Sequence, residues 1–484
     1  MRMRILFLKL FRAVAAACAV LVSPQISGSV PDYAIIVSAK TAGDIGWGKV
    51  VDALAARHNA GIIAFTNSVE ESLPALRRQF PRFACFVAQP EEATAEFVAR
   101  IHRLTRQLDD DPYTDCFWGI LTGYDSTNAL AIARQTHPLT IRKVASGTGL
   151  AMDMIEEGVS FSELEKNRSI RKPKGGSAQE LKCPDDTTES LVNALNEGNP
   201  DLFVTSGHAT ERDWMIGFSY RSGFFKHADG KLFGEDTRKR RLPIHSPNPK
   251  VYMPIGNCLM GHIDRRDCMA TAWMNSAGVC QMLGYTVPTW YGYGGWGVLD
   301  YFVEQPGRYT FTEAFFANQI ALENRLATYF PGLLELETGV IARDSEKAAP
   351  GKAAKAAGLK SEDGLGLLYD RDTVAFYGDP AWQARMADRP KAFEQKLTVR
   401  KGVFTLEIKP GCGAGSFEPV NLNGSQRGGR PFLAYLPYRV REVKIIAGLE
   451  LNPIVTDNFI LVPNPGKCDP AKTYRVLFTA IPLH

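Results

Sequence analysis

Short runs that are apolar at every position, separated by longer stretches with helical spacing, set the rhythm of the chain up to about residue 390. Tyr33-Ala-Ile-Ile-Val37, Gly61-Ile-Ile-Ala-Phe65 and Phe83-Ala-Cys-Phe-Val87 read as strands, and 116–121 continues the series. Amphipathic patterns predict helices over 48–58, 69–80 and 93–108. Strands that are apolar on both faces and alternate with helices imply a mostly parallel sheet covered on both sides, an α/β fold. The rhythm resumes with a helix near 189–197, strands at 202–206, 251–256 and 279–285, and a helix over 311–325.

Beyond about residue 393 the pattern changes to short strands broken by Gly, Pro and Asn: 397–399, 403–408, 443–446, 459–462 and 474–478. That spacing predicts a small β-sandwich. The basic segment 166–176 (KNRSIRKPKGG) reads as a mobile loop, and 347–360 (KAAPGKAAKAAGLK) as a low-complexity surface excursion. The run 236–241 (DTRKRR) reads as a solvated loop. In an exported protein both basic segments are candidates for proteolytic processing.

Two strands end in reactive residue types. Asp201-Leu-Phe-Val-Thr-Ser-Gly-His208 delivers an imidazole, and Val251-Tyr-Met-Pro-Ile-Gly-Asn-Cys258 delivers a thiol. Open α/β sheets carry their sites at the carboxyl ends of parallel strands. A His and a Cys brought there together form the pair that makes a Cys nucleophilic at neutral pH. The leading expectation is therefore a cysteine peptidase acting on a protein or peptide substrate. An isolated His or Cys at a strand end is otherwise structural. A metal reading of Cys258, His262, Asp264 and Cys268 fits no closed zinc spacing. His227, His245 and His262 are expected on solvated loops.

The ends of the chain and its composition narrow the setting. Basic residues in the first twelve positions, an apolar run over 13–22 and small residues at 27–29 have the layout of a secretory signal peptide, too short to span a bilayer. Cys18 alternatively reads as a lipoprotein acylation site. The mature chain is expected to be secreted, periplasmic or on the cell surface, with no membrane span. A net charge of +4 over 484 residues argues against nucleic acid as a partner. Nine cysteines, none in CxxC spacing, leave Cys412 and Cys468 as the expected disulfide, while Cys85, Cys116 and Cys280 read as buried small hydrophobes.

Four segments, in order, resemble the gingipain-type cysteine peptidases of the caspase-like clan: Asp111-Pro-Tyr-Thr-Asp115-Cys-Phe-Trp-Gly119, Gly207-His208-Ala209-Thr-Glu-Arg-Asp-Trp214, Ile255-Gly-Asn-Cys258 and Phe376-Tyr-Gly-Asp-Pro-Ala381. The resemblance covers roughly 33–390. It implies a caspase-like three-layer α/β/α sandwich, followed by an immunoglobulin-like β-sandwich. The expected division is a leader over 1–29, α/β parts at 30–145 and 146–390, and the β-sandwich at 391–484. By the same resemblance Cys258 is the nucleophile, His208 the general acid/base and Asp115 the residue that orients the imidazole. The Ala209 and Cys258 amides form the oxyanion hole, and Thr286, Trp290, Tyr291 and Trp214 line the substrate pocket. No cofactor is required for the chemistry, and a structural calcium is implied. Ala209 stands where the family carries Gly, Asn257 where it carries a small apolar residue, and Asp115 where close relatives carry Glu. The alternative is an inactive relative that keeps the fold as an exported binding or surface module.

Overall fold

Residues 32–336 and 347–483 are described by the structure, a computed structural model of the chain. The expected leader, with Cys18, lies outside them. Every residue of the strands Tyr33–Ser38, Phe117–Leu121, Leu202–Thr205, Lys250–Pro254 and Val374–Tyr377 is buried. Alternate residues of a strand face opposite sides of its sheet, so burial at every position means both faces are covered.

These strands belong to one sheet of twelve. Its order is Gly61–Phe65, Tyr33–Ser38, Phe83–Val87, Phe117–Leu121, Val374–Tyr377, Val279–Tyr285, Lys250–Pro254, Leu202–Thr205, Lys143–Ser146, Glu157–Phe161, Arg168–Lys172 and Gln179–Lys182. The first five run parallel to one another. Val374–Tyr377 then pairs antiparallel with Val279–Tyr285, and from there the next five strands are again mutually parallel. The sheet thus has two oppositely directed halves, which do not coincide with the expected parts at 30–145 and 146–390. Lys143–Ser146 straddles that boundary, and Val374–Tyr377 joins the half built from the first part. The late strand Val374–Tyr377 closes the seam between the halves.

The Gly-Asp-Pro segment explains how that closure is held. Gly378, at φ 111°, turns the chain out of the sheet. Asp379 then accepts from the Tyr33 hydroxyl at 2.9 Å, lies 2.8 Å from His58 Nε2 and pairs with Arg57 at 3.2 Å. Burial opposes ionisation of Asp379, but His58 and Arg57 prevail and hold its carboxyl below the usual range. The first strand, its following helix Ile45–His58 and the last strand are joined through one carboxylate.

Helices Ala95–Thr105, Thr188–Asn196, Met269–Ser276 and Tyr293–Phe302 bury apolar faces in the same core. Phe311–Tyr329 opens with a reciprocal capping box between Thr310 and Glu313 and is buried along most of its length. Among the described residues no helix is long and apolar enough to cross a membrane. At the C-terminus a four-stranded antiparallel sheet (Phe393–Arg400, Val403–Pro410, Tyr474–Pro482, Val440–Ala447) shares an apolar core with a three-stranded one (Phe432–Tyr435, Phe459–Val462, Ile454–Val455).

Several local expectations need correction. The basic segment 166–176 is no loop: Arg168–Lys172 is a strand, paired antiparallel on both sides. Ser169 and Lys172 turn inward while Arg168 pairs with Glu165 and Glu180, so charge marks a strand near the sheet edge, where it discourages further pairing. The 347–360 segment is not a plain surface excursion, since Ala348, Ala354 and Leu359 are buried in a satellite core against Leu322 and Leu326. His227 is likewise no solvated residue; it lies in the strand Phe224–Ala228, with Nδ1 3.1 Å from Asp267.

Candidate active site

Five parallel strands, Glu157–Phe161, Lys143–Ser146, Leu202–Thr205, Lys250–Pro254 and Val279–Tyr285, present their carboxyl ends along one edge. The chain lays Glu157–Phe161 on one side of Lys143–Ser146 and its later strands on the other. Such a reversal leaves a crevice outside the strand ends, the usual ligand position in open α/β sheets.

His208 and Cys258 leave neighbouring strands at this edge. Leu202, Phe203, Val204 and Thr205 pair in parallel with Val251, Tyr252, Met253 and Pro254. The loops beyond are stapled by Asn257, which is fully buried. Its Oδ1 accepts from the Thr205 hydroxyl at 2.6 Å, and its Nδ2 donates to the Gly207 carbonyl at 3.0 Å. The residue before the Cys therefore holds the residue before the His, which is why an amide stands where a small apolar residue was expected. A second staple lies further out, where Arg212 pairs with Asp264 and donates to the Asp267 carbonyl at 2.8 Å.

The His208 ring is exposed, stacked on Phe218 with centroids 5.0 Å apart, and makes no hydrogen bond among the described residues. The half-buried Cys258 sulfur accepts from the Thr289 amide at 3.2 Å. Leu259, the next residue, is held at φ 55°, a conformation a bulky side chain rarely adopts and one that clusters at functional sites. Among the described residues neither the Ala209 nor the Cys258 amide finds an acceptor. The bridge between Ala209 and Trp214 uses the His208 carbonyl and the Thr210 amide instead, leaving the Ala209 N–H outside it.

Asp115 is not brought to the imidazole. It precedes Phe117–Leu121, on the same edge but four strands from Leu202–Thr205, or about 19 Å at the usual spacing. Its buried carboxylate accepts from the Leu108 and Asp109 amides at 2.9 and 3.3 Å. Burial first, then Asp109 and Asp111, push its pKa up to about 9.

The buried carboxylate that does serve the His strand is Glu163. Oε1 accepts from Thr148 at 2.5 Å and from Ser206, two residues before His208, at 3.3 Å; Oε2 accepts from the Gly149 amide at 3.0 Å. The Glu163 carbonyl accepts from the amides of Phe218 and Ser219 at 2.8 and 2.9 Å, fixing the ring on which His208 rests. An acidic residue two positions past a strand end was the available signal, but sequence reading recognised no strand at 157–161.

The expected pocket residues separate. Trp290, 52% exposed, stands one residue from the Thr289 amide and meets Tyr369 edge-on at 5.9 Å. Trp214 is fully buried, packed against Phe203 and Phe225, with its indole N–H donating to the Ser206 carbonyl at 2.8 Å. It supports the His loop from beneath and lines no pocket. Thr286 is buried, its hydroxyl on the Thr373 carbonyl at 2.9 Å, and Tyr291 faces the satellite core, with its hydroxyl on Asp363 at 2.9 Å. The expected disulfide is not formed: Cys412 and Cys468 are both free, with the Cys468 thiol 3.4 Å from the Gly413 and Ala414 carbonyls, beside its intended partner.

Asp109, Asp111 and Asp457 place one carboxylate oxygen each within 4.8 Å of the others. Asp457 Oδ1 is buried without a hydrogen-bond partner. Three carboxylates suit a hard cation such as calcium, and these are the residues that could hold one. Of the metal set considered at 258–268, Asp264 is paired with Arg212, and the Cys268 sulfur meets the Thr271 hydroxyl at 3.5 Å.

Comparison with protein-family models, curated proteins and solved structures finds no match for this chain.

Proposed function

We propose that this chain is an exported cysteine peptidase of the gingipain type, with a caspase-like α/β core and an immunoglobulin-like C-terminal module. The observation that carries the reading is the Asn257 staple, which ties together the loops bearing His208 and Cys258 at the ends of neighbouring parallel strands. The Cys258 thiolate attacks the peptide carbonyl while His208 holds the thiol proton. The oxyanion is met by the free amides of Ala209 and Cys258, donors whose loss typically costs roughly 3 kcal/mol at such holes. His208 then passes its proton to the leaving amine, and water, deprotonated by His208, releases the acid from the acyl-enzyme. Glu163 takes the positioning role expected of Asp115. Asp109, Asp111 and Asp457 would hold the structural calcium and tie the C-terminal module to the core; no step runs through it.

The test is hydrolysis of a peptide mixture by purified protein, together with labelling by a peptidyl electrophile. Wild type should cleave and carry the label on Cys258, and Cys258→Ala should do neither while melting at the same temperature. Undiminished cleavage by Cys258→Ala ends the reading. A second reading, an inactive module that binds peptides, is favoured by the His208 ring's resting on Phe218 rather than on the thiol. Absence of both label and cleavage in wild type selects it.

A further inference from the structure

We infer that Asp370 is a positioning residue for Cys258: it clamps both ends of the loop 286–292, which grips the sulfur and the residue after it, while Tyr369 holds the middle of that loop. The inference rests on the proposed peptidase site and adds the part that fixes its nucleophile.

The loop 286–292 joins the strand Val279–Tyr285 to the helix Tyr293–Phe302. It holds the Cys258 turn at two points. The Thr289 amide donates to the sulfur at 3.2 Å, and the Val287 carbonyl accepts from the Leu259 amide at 3.1 Å. Leu259 is the residue at φ 55°, and such a conformation persists only where its surroundings over-determine it. Where this loop lies therefore sets where the sulfur lies.

The helix Ser361–Arg371 fixes the loop from one side. Asp370 Oδ2 accepts from the Tyr285 hydroxyl at 3.0 Å and from the Gly294 amide at 2.9 Å, one donor at each end of the loop. The Tyr285 hydroxyl in turn accepts from the Gly295 amide at 3.0 Å, which closes the base. Between these ends the Tyr369 hydroxyl donates to the Pro288 carbonyl at 2.8 Å, next to Thr289. The Thr373 carbonyl accepts from the Thr286 amide at 2.8 Å and from its hydroxyl at 2.9 Å.

The helix that the loop enters is held separately. A Cβ at Gly295 would strike the Ile255 carbonyl, three residues before Cys258. From the C-terminal module, segment 421–430 docks on the same helix: a Cβ at Gly424 would overlap the Trp296 indole, Arg427 pairs with Asp300 and Glu304, and the Arg430 guanidinium stacks 3.8 Å over the Tyr293 ring. Stability alone does not account for Asp370. It is fully buried, and its Oδ1 has no hydrogen-bond partner among the described residues. Burial outweighs its donors and raises its pKa to about 7. A buried carboxyl with one oxygen unsatisfied costs stability, so its place at the loop needs another reason.

The experiment compares full-length wild type with Asp370→Ala, Asp370→Asn and Tyr369→Phe by hydrogen exchange and by peptide hydrolysis. Asp370→Ala should speed exchange by about 10-fold or more over 257–261 and 286–292, a local opening that leaves the core strand 202–205 unchanged. Its kcat should fall roughly 10- to 100-fold, the scale of a misplacement of about 1 Å, with KM within about twofold of wild type. Asn keeps an oxygen for the Tyr285 and Gly294 donors, so Asp370→Asn should recover most of both losses. Tyr369→Phe removes one hydroxyl from a half-buried ring and should fold normally, with the same two effects at smaller size. If Asp370→Ala does not fold, Tyr369→Phe decides. Unchanged exchange over these segments, a kcat equal to wild type in the folded variants, or no recovery in Asp370→Asn overturns the inference. A wild type that hydrolyses nothing sinks the peptidase reading, and the clamp then stands or falls with the exchange rates.

Discussion

Two buried carboxylates on the same edge of one sheet, Asp115 and Glu163, live in opposite surroundings. Asp115 lies among Asp109 and Asp111, receives two backbone amides, and is driven toward its protonated form. Glu163 is met by two hydroxyls, an amide N–H and the Asn423 side chain. The C-terminal module touches both: Asn423 reaches Glu163, while Arg439 and Asn458 donate to the Asp115 carbonyl. Residue type does not separate the two regions; strand order does. Glu163 follows a strand two places from the His208 strand, and Asp115 precedes one four places away on the other side.

The sharpest way to break the comparison is to neutralise each acid in turn. Glu163→Gln should lower kcat/KM by roughly 10- to 100-fold, mostly in kcat, a fraction of the 10²- to 10⁴-fold that general acid–base catalysis supplies. Asp115→Asn should stay within about twofold of wild type at neutral pH, since about 19 Å of sheet separates it from the imidazole. An equal loss in both variants would mean that the two acids act only through stability. A loss confined to Asp115→Asn would restore the assignment drawn from the motif.

Strand ends were legible because burial on both faces writes an unbroken apolar run. That is why Leu202–Thr205, Lys250–Pro254 and Val279–Tyr285 could be read, and with them His208 and Cys258. Lys143–Ser146, Glu157–Phe161 and Arg168–Lys172 escaped notice, being short, polar in part and, toward the sheet edge, basic. Glu163 was lost with them. The order of strands has no local signature: Val374–Tyr377 returns from far along the chain to sit between the two halves, and with Val279–Tyr285 and Lys250–Pro254 it separates Asp115 from the His208 strand. Trp214 and Tyr291 were misplaced because an aromatic near a reactive residue reads alike whether it lines a pocket or supports a loop. The docking of 421–430 had no signal at all, since its asparagines and glycines spell an ordinary loop.

The smaller test concerns stability. An unfolded Asp titrates near about 3.9, whereas folded Asp115 holds its proton up to about 9. Between those values the folded chain binds a proton that the unfolded chain has released. Stability from this group is therefore fully present below about pH 4 and is lost as pH rises through about 9. Asn is neutral throughout, and its side-chain oxygen can still accept from the Leu108 and Asp109 amides, so Asp115→Asn removes this slope without opening a cavity. The variant should melt close to wild type at pH 5 and higher than wild type at pH 8, by about 1 kcal/mol or more, the worth of a single pKa unit. Glu163→Gln should instead melt below wild type at both pH values, because one of the two oxygens among which four donors are divided becomes an amide NH2 that cannot accept. Parallel melting curves for wild type and Asp115→Asn from pH 5 to 9 would show that Asp115 is ionised in the folded chain, and the contrast between the two carboxylates would collapse.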